Sequence, residues 1–85
     1  MKKFEYVIKD EVGIHARPAG MLVKEAKKFQ SQIVIGKDGK TAEATKLMAV
    51  MGLGVKSGQT IEVEISGEDE KEAYEAIKDF FEANL

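Results

Sequence analysis

The chain contains no cysteine, a single histidine and a single proline among its 85 residues. Without cysteine there is no disulfide framework, no thiolate metal site and no thiol nucleophile, and a metal would depend on carboxylates around one histidine. An excess of one charge is also lacking. Thirteen Lys and Arg stand against 15 Asp and Glu, a net −2, which argues against the strongly basic face that nucleic-acid binding needs. No apolar run approaches membrane-spanning length, and Met1-Lys2-Lys3-Phe4-Glu5-Tyr6 enters an alternating pattern instead of an apolar leader. There is no internal repeat and no low-complexity segment. The expectation is one soluble, cytoplasmic domain, residues 1–85, without membrane insertion. A core of this size buries roughly 60–65% of the unfolded chain's surface, so any chemistry belongs at the surface.

What is present is patterned. Phe4, Tyr6 and Ile8 alternate with Glu5, Val7 and Lys9, a period of two that predicts a strand over residues 3–9, ending near Gly13. From Pro18 the period changes: Ala19, Leu22, Val23, Ala26 and Phe29 form the stripe of an amphipathic helix running to about Phe29. Ile33 to Ile35, then Asp38-Gly39, then Thr41 to Ala44 read as a hairpin whose short polar second arm suits a sheet edge. Leu47 to Leu53 reads as a helix of about two turns, bounded by Gly52 and Gly54. Thr60 to Ser66 alternates cleanly, giving a strand with one dry face. Asp69 with Glu72 predicts a capping box, followed by a helix burying Ala73, Ala76, Ile77 and Phe80, with Tyr74 and Phe81 widening the stripe. The order βαββαβα predicts an α+β open-faced β-sandwich: a four-stranded antiparallel sheet with three helices on one face. Residues 68–82 hold seven acids and two lysines, so with a total of −2 the remainder carries +3, and the functional surface is expected outside the last helix.

The histidine and the proline stand three residues apart in Gly13-Ile14-His15-Ala16-Arg17-Pro18-Ala19, at a strand-to-helix junction. Pro18 fits the first turn of a helix, where its missing N–H costs nothing, which puts His15 at or just before the helix start. Backbone N–H groups without intrahelical partners, together with the helix dipole, make that start suitable for a phosphate. The same dipole disfavours an imidazolium, leaving a neutral ring able to attack phosphorus. Arg17 adds a planar fork of donors matched to phosphate oxygens. One nucleophilic nitrogen, a helix end and an arginine form half of a phosphoryl-transfer site. The other half must come from a partner, because the chain has no nucleotide-binding loop. The competing reading is that His15 only caps the helix and Arg17 is a solvated charge. No metal or cofactor is expected.

The helix from Leu47 has too few polar positions to be simply amphipathic. Val50 and Leu53 are expected in the core, while Leu47, Met48 and Met51 are expected to line a protein-docking patch, since methionine adapts to several surfaces. Lys24, Lys27, Lys28 and Lys46 would surround it with positive charge and steer acidic partners.

With these residues in view, the chain resembles the histidine-containing phosphocarrier family HPr of the bacterial phosphoenolpyruvate:sugar phosphotransferase system. The resemblance spans the chain and rests on Gly13 to Ala19 and on Leu47 through Gly54. It implies a carrier, not an enzyme, that is phosphorylated on Nδ1 of His15 by phosphorylated enzyme I and passes the group to sugar-specific IIA proteins or domains. Arg17 would neutralise the phosphate beside the N–H groups of Ala16 and Arg17, and Gly20, Leu47, Met48 and Met51 would meet both partners, with Lys24 and Lys27 counted to the same docking surface for their charge. A monomer is expected, since a carrier presents one small face to successive partners.

Two positions depart from the family pattern. Lys46 occupies the place of a serine that a dedicated kinase phosphorylates in many members, with Thr45 adjacent but not aligned, so neither that regulation nor a corepressor role is expected. Val12 stands where relatives usually carry a small polar residue supporting the active-site loop. The alternatives are a carrier in a nitrogen-related phosphorelay, a docking module without transfer, and a small phosphatase, the last disfavoured because there is one histidine with no cysteine nucleophile and no evident metal cluster.

Overall fold

Seven elements follow one another in a computed structural model that describes residues 1–85: β1 (Lys2–Val7), α1 (Ala16–Ala26), β2 (Gln32–Lys37), β3 (Lys40–Glu43), α2 (Leu47–Gly52), β4 (Thr60–Ser66) and α3 (Glu70–Asn84). The element order matches the periodicities. The strands form one antiparallel sheet in the order β1-β4-β2-β3. β4, late in the chain, is therefore central, and its alternation sets the two faces: Ile61, Val63 and Ile65 are buried while Glu62, Glu64 and Ser66 are not. Val63 lies between Phe4 of β1 and Ile35 of β2 in the register, so its apolar side chain meets apolar neighbours on both sides. The helices cover this face: α3 packs on β1 and β4, α2 on β3, and α1 on both other helices. Between the layers lies one core cluster of 20 buried apolar residues.

Asp38 and Gly39 connect β2 to β3 with φ of +50° and +83°. Lys37 pairs directly with Lys40, the two-residue connection with two positive φ angles that the right-handed strand twist favours. β3 bonds only to β2 and is an edge strand, in keeping with its short polar sequence.

Three local expectations need correction. α1 begins at Ala16, directly after His15 and with Pro18 in its first turn as expected, but stops at Ala26 instead of Phe29. Beyond it the N–H groups of Lys28 and Phe29 donate to the carbonyls of Glu25 and Ala26 at 3.2 Å, a tightened last turn that lets the chain reverse into β2. On α3 the buried centre is Ala73, Ile77 and Phe81, with Ala76 and Phe80 only half-buried. Phe81 wins because its ring meets Phe4 and Tyr6 from β1, with centroids 6.1 and 5.6 Å away.

The capping box is also absent. Asp69 occupies the N-cap of α3, but its side chain makes no capping bond. Its carboxylate instead accepts the N–H groups of Gln30 and Ser31, both at 2.9 Å, and the Ser31 hydroxyl. These bonds, the hydroxyl's foremost, hold the Asp69 carboxyl below the usual carboxylate range. The reason is tertiary. The turn after α1 presents two adjacent N–H groups without strand partners, and an unmet buried donor is costly. Glu70 takes over locally, accepting the Gly67 N–H at 3.1 Å. Gly67, at φ +150°, lies so close to Ser31 that a Cβ would stand 2.6 Å from its Cα.

Candidate functional site

The site is built on the loop between β1 and α1, which is clamped from two sides. From one side, the carbonyl of Leu85, just past α3, accepts the N–H groups of Lys9 and Asp10 at 2.6 and 2.9 Å. From the other, Gly58 N–H donates to the Ile8 carbonyl at 2.7 Å and Val55 carbonyl accepts Ile14 N–H at 3.0 Å. Gly13 is required here. Its φ is +83°, and a Cβ would fall 2.3 Å from the Val55 carbonyl oxygen, so any other residue would push the loop off the β4 side. Ile14 is buried, and the next residue is thereby delivered to the surface.

That residue is His15, the N-cap of α1, in extended backbone conformation with φ −110° and ψ −176°. Its side chain makes no capping hydrogen bond. The ring is 39% exposed. Its Nε2 faces Oδ1 of Asp10 at 3.9 Å.

The first turn of α1 contains no acidic residue. The N–H groups of Ala16 and Arg17 donate to no protein acceptor, while the first intrahelical bond runs from Ala19 N–H to the His15 carbonyl at 2.9 Å. Pro18 is buried in this turn, where its ring fits and its absent N–H removes one orphan donor. The helix start therefore presents two free donors and a positive partial charge. Arg17 is exposed and enters none of the chain's ion pairs, so its guanidinium remains available. His15, Arg17 and Pro18 share with Asp10, Met21 and Asn84 the wall of an open hollow of about 290 Å³. No three His, Cys, Asp or Glu side chains of the chain converge as metal ligands would. No helix is long and apolar enough to cross a membrane.

The expected docking residues lie outside this hollow, on α1 and α2. On α2, Val50 and Leu53 are buried, as expected. Met48 is 78% exposed and Leu47 39%, large apolar side chains left without partners. Met51 is half-buried against the core and offers less surface than its spacing suggests. Gly20 lies partly open on α1, with nothing within 4 Å of a Cβ placed there. Lys24 and Lys27 are exposed without ion pairs, whereas Lys28 is tied to Glu25 at 3.1 Å and Lys46 faces Glu43 at 3.9 Å. Lys46 is the N-cap of α2.

Four residues of this region escape a reading of the sequence. Met21 was available to it, being four residues from Arg17 and three from Pro18, hence on the same helix face. Asp10 carried a weaker signal as a residue able to form an Asx turn ahead of Gly13. Asn84 carried none. It reaches the hollow from the far end of α3, oriented by its Nδ2 donating to the Phe80 carbonyl at 3.1 Å. Lys37, at the end of β2, donates from Nζ to the Gly54 and Leu53 carbonyls at 3.1 and 3.4 Å, a cation at the C-terminal end of α2.

Comparison with known proteins places this geometry in a family. A protein-family model described as the PTS HPr component phosphorylation site matches residues 2–83. The phosphocarrier protein HPr of Mycoplasma genitalium is 44% identical over 85 residues, covering 99% of this chain and 97% of that protein. Among solved structures, HPr of Thermoanaerobacter tengcongensis superposes with a TM-score of 0.93 at 42% identity, over 98% of this chain and 93% of that one. The Bacillus subtilis catabolite repression protein Crh, described as an intertwined dimer with a swapped domain, superposes with 0.79 at 33% identity, over 100% of this chain and 98% of that one.

Proposed function

This chain belongs to the HPr family of phosphocarrier proteins of the phosphotransferase system, and from that premise we propose that His15 accepts a phosphoryl group from phosphorylated enzyme I and passes it to sugar-specific IIA proteins or domains. The observation that carries this reading is the coincidence, around one hollow, of an uncapped imidazole, two free N–H donors and an unpaired guanidinium. In the proposed step the His15 nitrogen attacks phosphorus. The equatorial oxygens, which carry the charge in transit, are met by Arg17 and the N–H groups of Ala16 and Arg17, fixed before the reaction begins. The hollow is open, so the donor's own residues complete the site and exclude water only while the two proteins are docked.

Docking is assigned to Gly20, Lys24 and Lys27 on α1 and to Leu47, Met48 and Met51 on α2, the exposed Met48 and Leu47 supplying the apolar centre and the lysines steering an acidic partner. The carrier works as a cytoplasmic monomer, residues 1–85 acting as one unit. Light scattering across the working concentration range checks the monomer, and a swapped dimer as the main species would refute it. At position 46 the side chain is a lysine, so the serine-directed kinase of other family members has no hydroxyl to modify. A stable phosphoester at Thr45 or elsewhere, after treatment with such a kinase and ATP, would sink that point.

The deciding experiment is incubation with enzyme I, magnesium and radiolabelled phosphoenolpyruvate, for the wild type and His15→Ala. An acid-labile, base-stable label in the wild type and none in the variant is expected. Label retained by the variant would move the carrier role to another residue.

A further inference from the structure

Asp10 is the most heavily restrained residue of the site loop. Its N–H is held by the Leu85 carbonyl at 2.9 Å and its carbonyl by Gly13 N–H at 3.0 Å, while its Oδ1 accepts the Val12 N–H at 2.9 Å. Backbone and side chain are thus both fixed, and the carboxylate has little freedom to swing away. The same Oδ1 stands 3.9 Å from Nε2 of His15. Arg17, the other charged group lining the hollow, forms no ion pair with it. Val12, 65% exposed and apolar, offers the ring no polar side chain, so within the loop Asp10 is the polar group facing the imidazole.

We propose that Asp10 is a positioning residue for phosphoryl transfer, holding the His15 ring by its Nε2 edge so that the ring proton stays on Nε2 and Nδ1 presents its lone pair as the nucleophile. The proposal rests on His15 being the carrier. At 3.9 Å the contact is longer than a hydrogen bond, but such contacts in unliganded sites shorten when a partner closes over them. A carboxylate beside one ring nitrogen selects the tautomer that carries its proton there. The same arrangement orients histidine in hydrolytic triads, where the carboxylate stabilises the charged ring without taking its proton.

The step balances without any further proton acceptor. The Nδ1–P bond forms as the bond from phosphorus to the donor atom breaks, and the donor leaves with that electron pair. The ring keeps its Nε2 proton and becomes cationic, which the neighbouring carboxylate favours. On transfer to the next acceptor the Nδ1–P electron pair returns to the ring. Asp10 therefore acts on both halves of the carrier cycle.

The test uses Asp10→Asn, which keeps an oxygen to accept the Val12 N–H but removes the charge. Its amide spectrum should match the wild type outside residues 9–17. The imidazole nitrogens are then followed by ¹⁵N NMR under conditions where the ring is neutral, and initial rates of phosphoryl uptake from enzyme I are measured. The expected result is a rise in the Nδ1–H tautomer, a fall in kcat of about ten- to a hundredfold, the scale of a misoriented reacting group, and a KM within about twofold of wild type. Asp10→Glu should recover part of the rate. A kcat within about twofold of wild type, or a slower kcat with an unchanged tautomer ratio, overturns the proposal. His15→Ala in parallel separates the two readings. If it keeps the label, the carrier assignment and the role of Asp10 fall together; if it loses the label while Asp10→Asn transfers normally, only the role of Asp10 falls.

Discussion

The two long helices begin in opposite ways. α3 opens with Glu70 and Glu72 in its first turn, behind Asp69, so resident carboxylates offset its positive end. α1 opens with Ala16 and Arg17, no acid, and two donors that meet no protein acceptor. Neither N-cap side chain caps its helix. At α3 the N-cap carboxylate is used across the fold, bonding the turn at Gln30 and Ser31. At α1 the N-cap is the imidazole, turned toward the hollow. One start is electrostatically complete, and the other has given up about 0.3–1 kcal/mol of helix stabilisation in a form that an arriving phosphate restores.

The largest break of this contrast is expected at Arg17. Arg17→Ala should lower the rate of phosphoryl uptake by about a hundredfold or more, as loss of a preorganised donor to a developing charge does, with thermal stability unchanged. Arg17→Lys should recover only part, because an ammonium supplies the charge without the fork. Full recovery by lysine would reduce the role of Arg17 to charge alone.

Making α1 resemble α3 is the next test. Ala16→Glu places an acid on an exposed first-turn position and should raise stability by about 0.3–1 kcal/mol. It should also slow uptake by about tenfold, a barrier rise of about 1.4 kcal/mol, since the added charge repels the incoming phosphate. A faster melt with normal uptake would contradict the contrast in both respects.

At the α3 end, Asp69 is held below the usual carboxylate range by the Ser31 hydroxyl and by backbone N–H groups. A carboxylate depressed in the folded state contributes stability that is complete above its unfolded pKa and is lost as pH falls through the folded one. Asp69→Asn should therefore melt below wild type at neutral pH. The difference should narrow on acidification below the ordinary carboxylate range, while phosphoryl uptake at neutral pH stays near wild type. A difference independent of pH would assign the loss to packing instead of charge.

The smallest effect is expected at Gly20. A Cβ there meets nothing within 4 Å, so Gly20→Ala should stabilise the helix by about 0.5–1 kcal/mol. Its KM for enzyme I should rise about threefold, the scale of a contact at the rim of an interface. Higher stability with an unchanged KM would remove Gly20 from the docking surface.

Much of the fold was legible because it is written in local period. The alternation of Thr60 to Ser66 sets strand β4 to the residue, and Asp38-Gly39 fixes the hairpin, since both depend only on neighbours in the chain. The His15 to Pro18 junction was equally legible: a proline that fits the first helical turn dates the start of α1 to within two residues. On α2 the burial of Val50 and Leu53 was read correctly, and that of Met51 less so, since its half-burial depends on how α2 sits on the core.

By itself, the sequence determined the elements, their order and the apolar face of β4, because each follows from contacts two to four positions apart. Tertiary structure alone decided the strand order that makes β4 central and the diversion of Asp69 to Gln30 and Ser31. It also decided the meeting of Asp10, His15 and Asn84 around one hollow and the latch from Lys37 to the end of α2. Apart from Asp10 and His15, these pairings join residues 16 or more positions apart, and their energy is realised only once the sheet and its helical layer have closed, so no local pattern announces them.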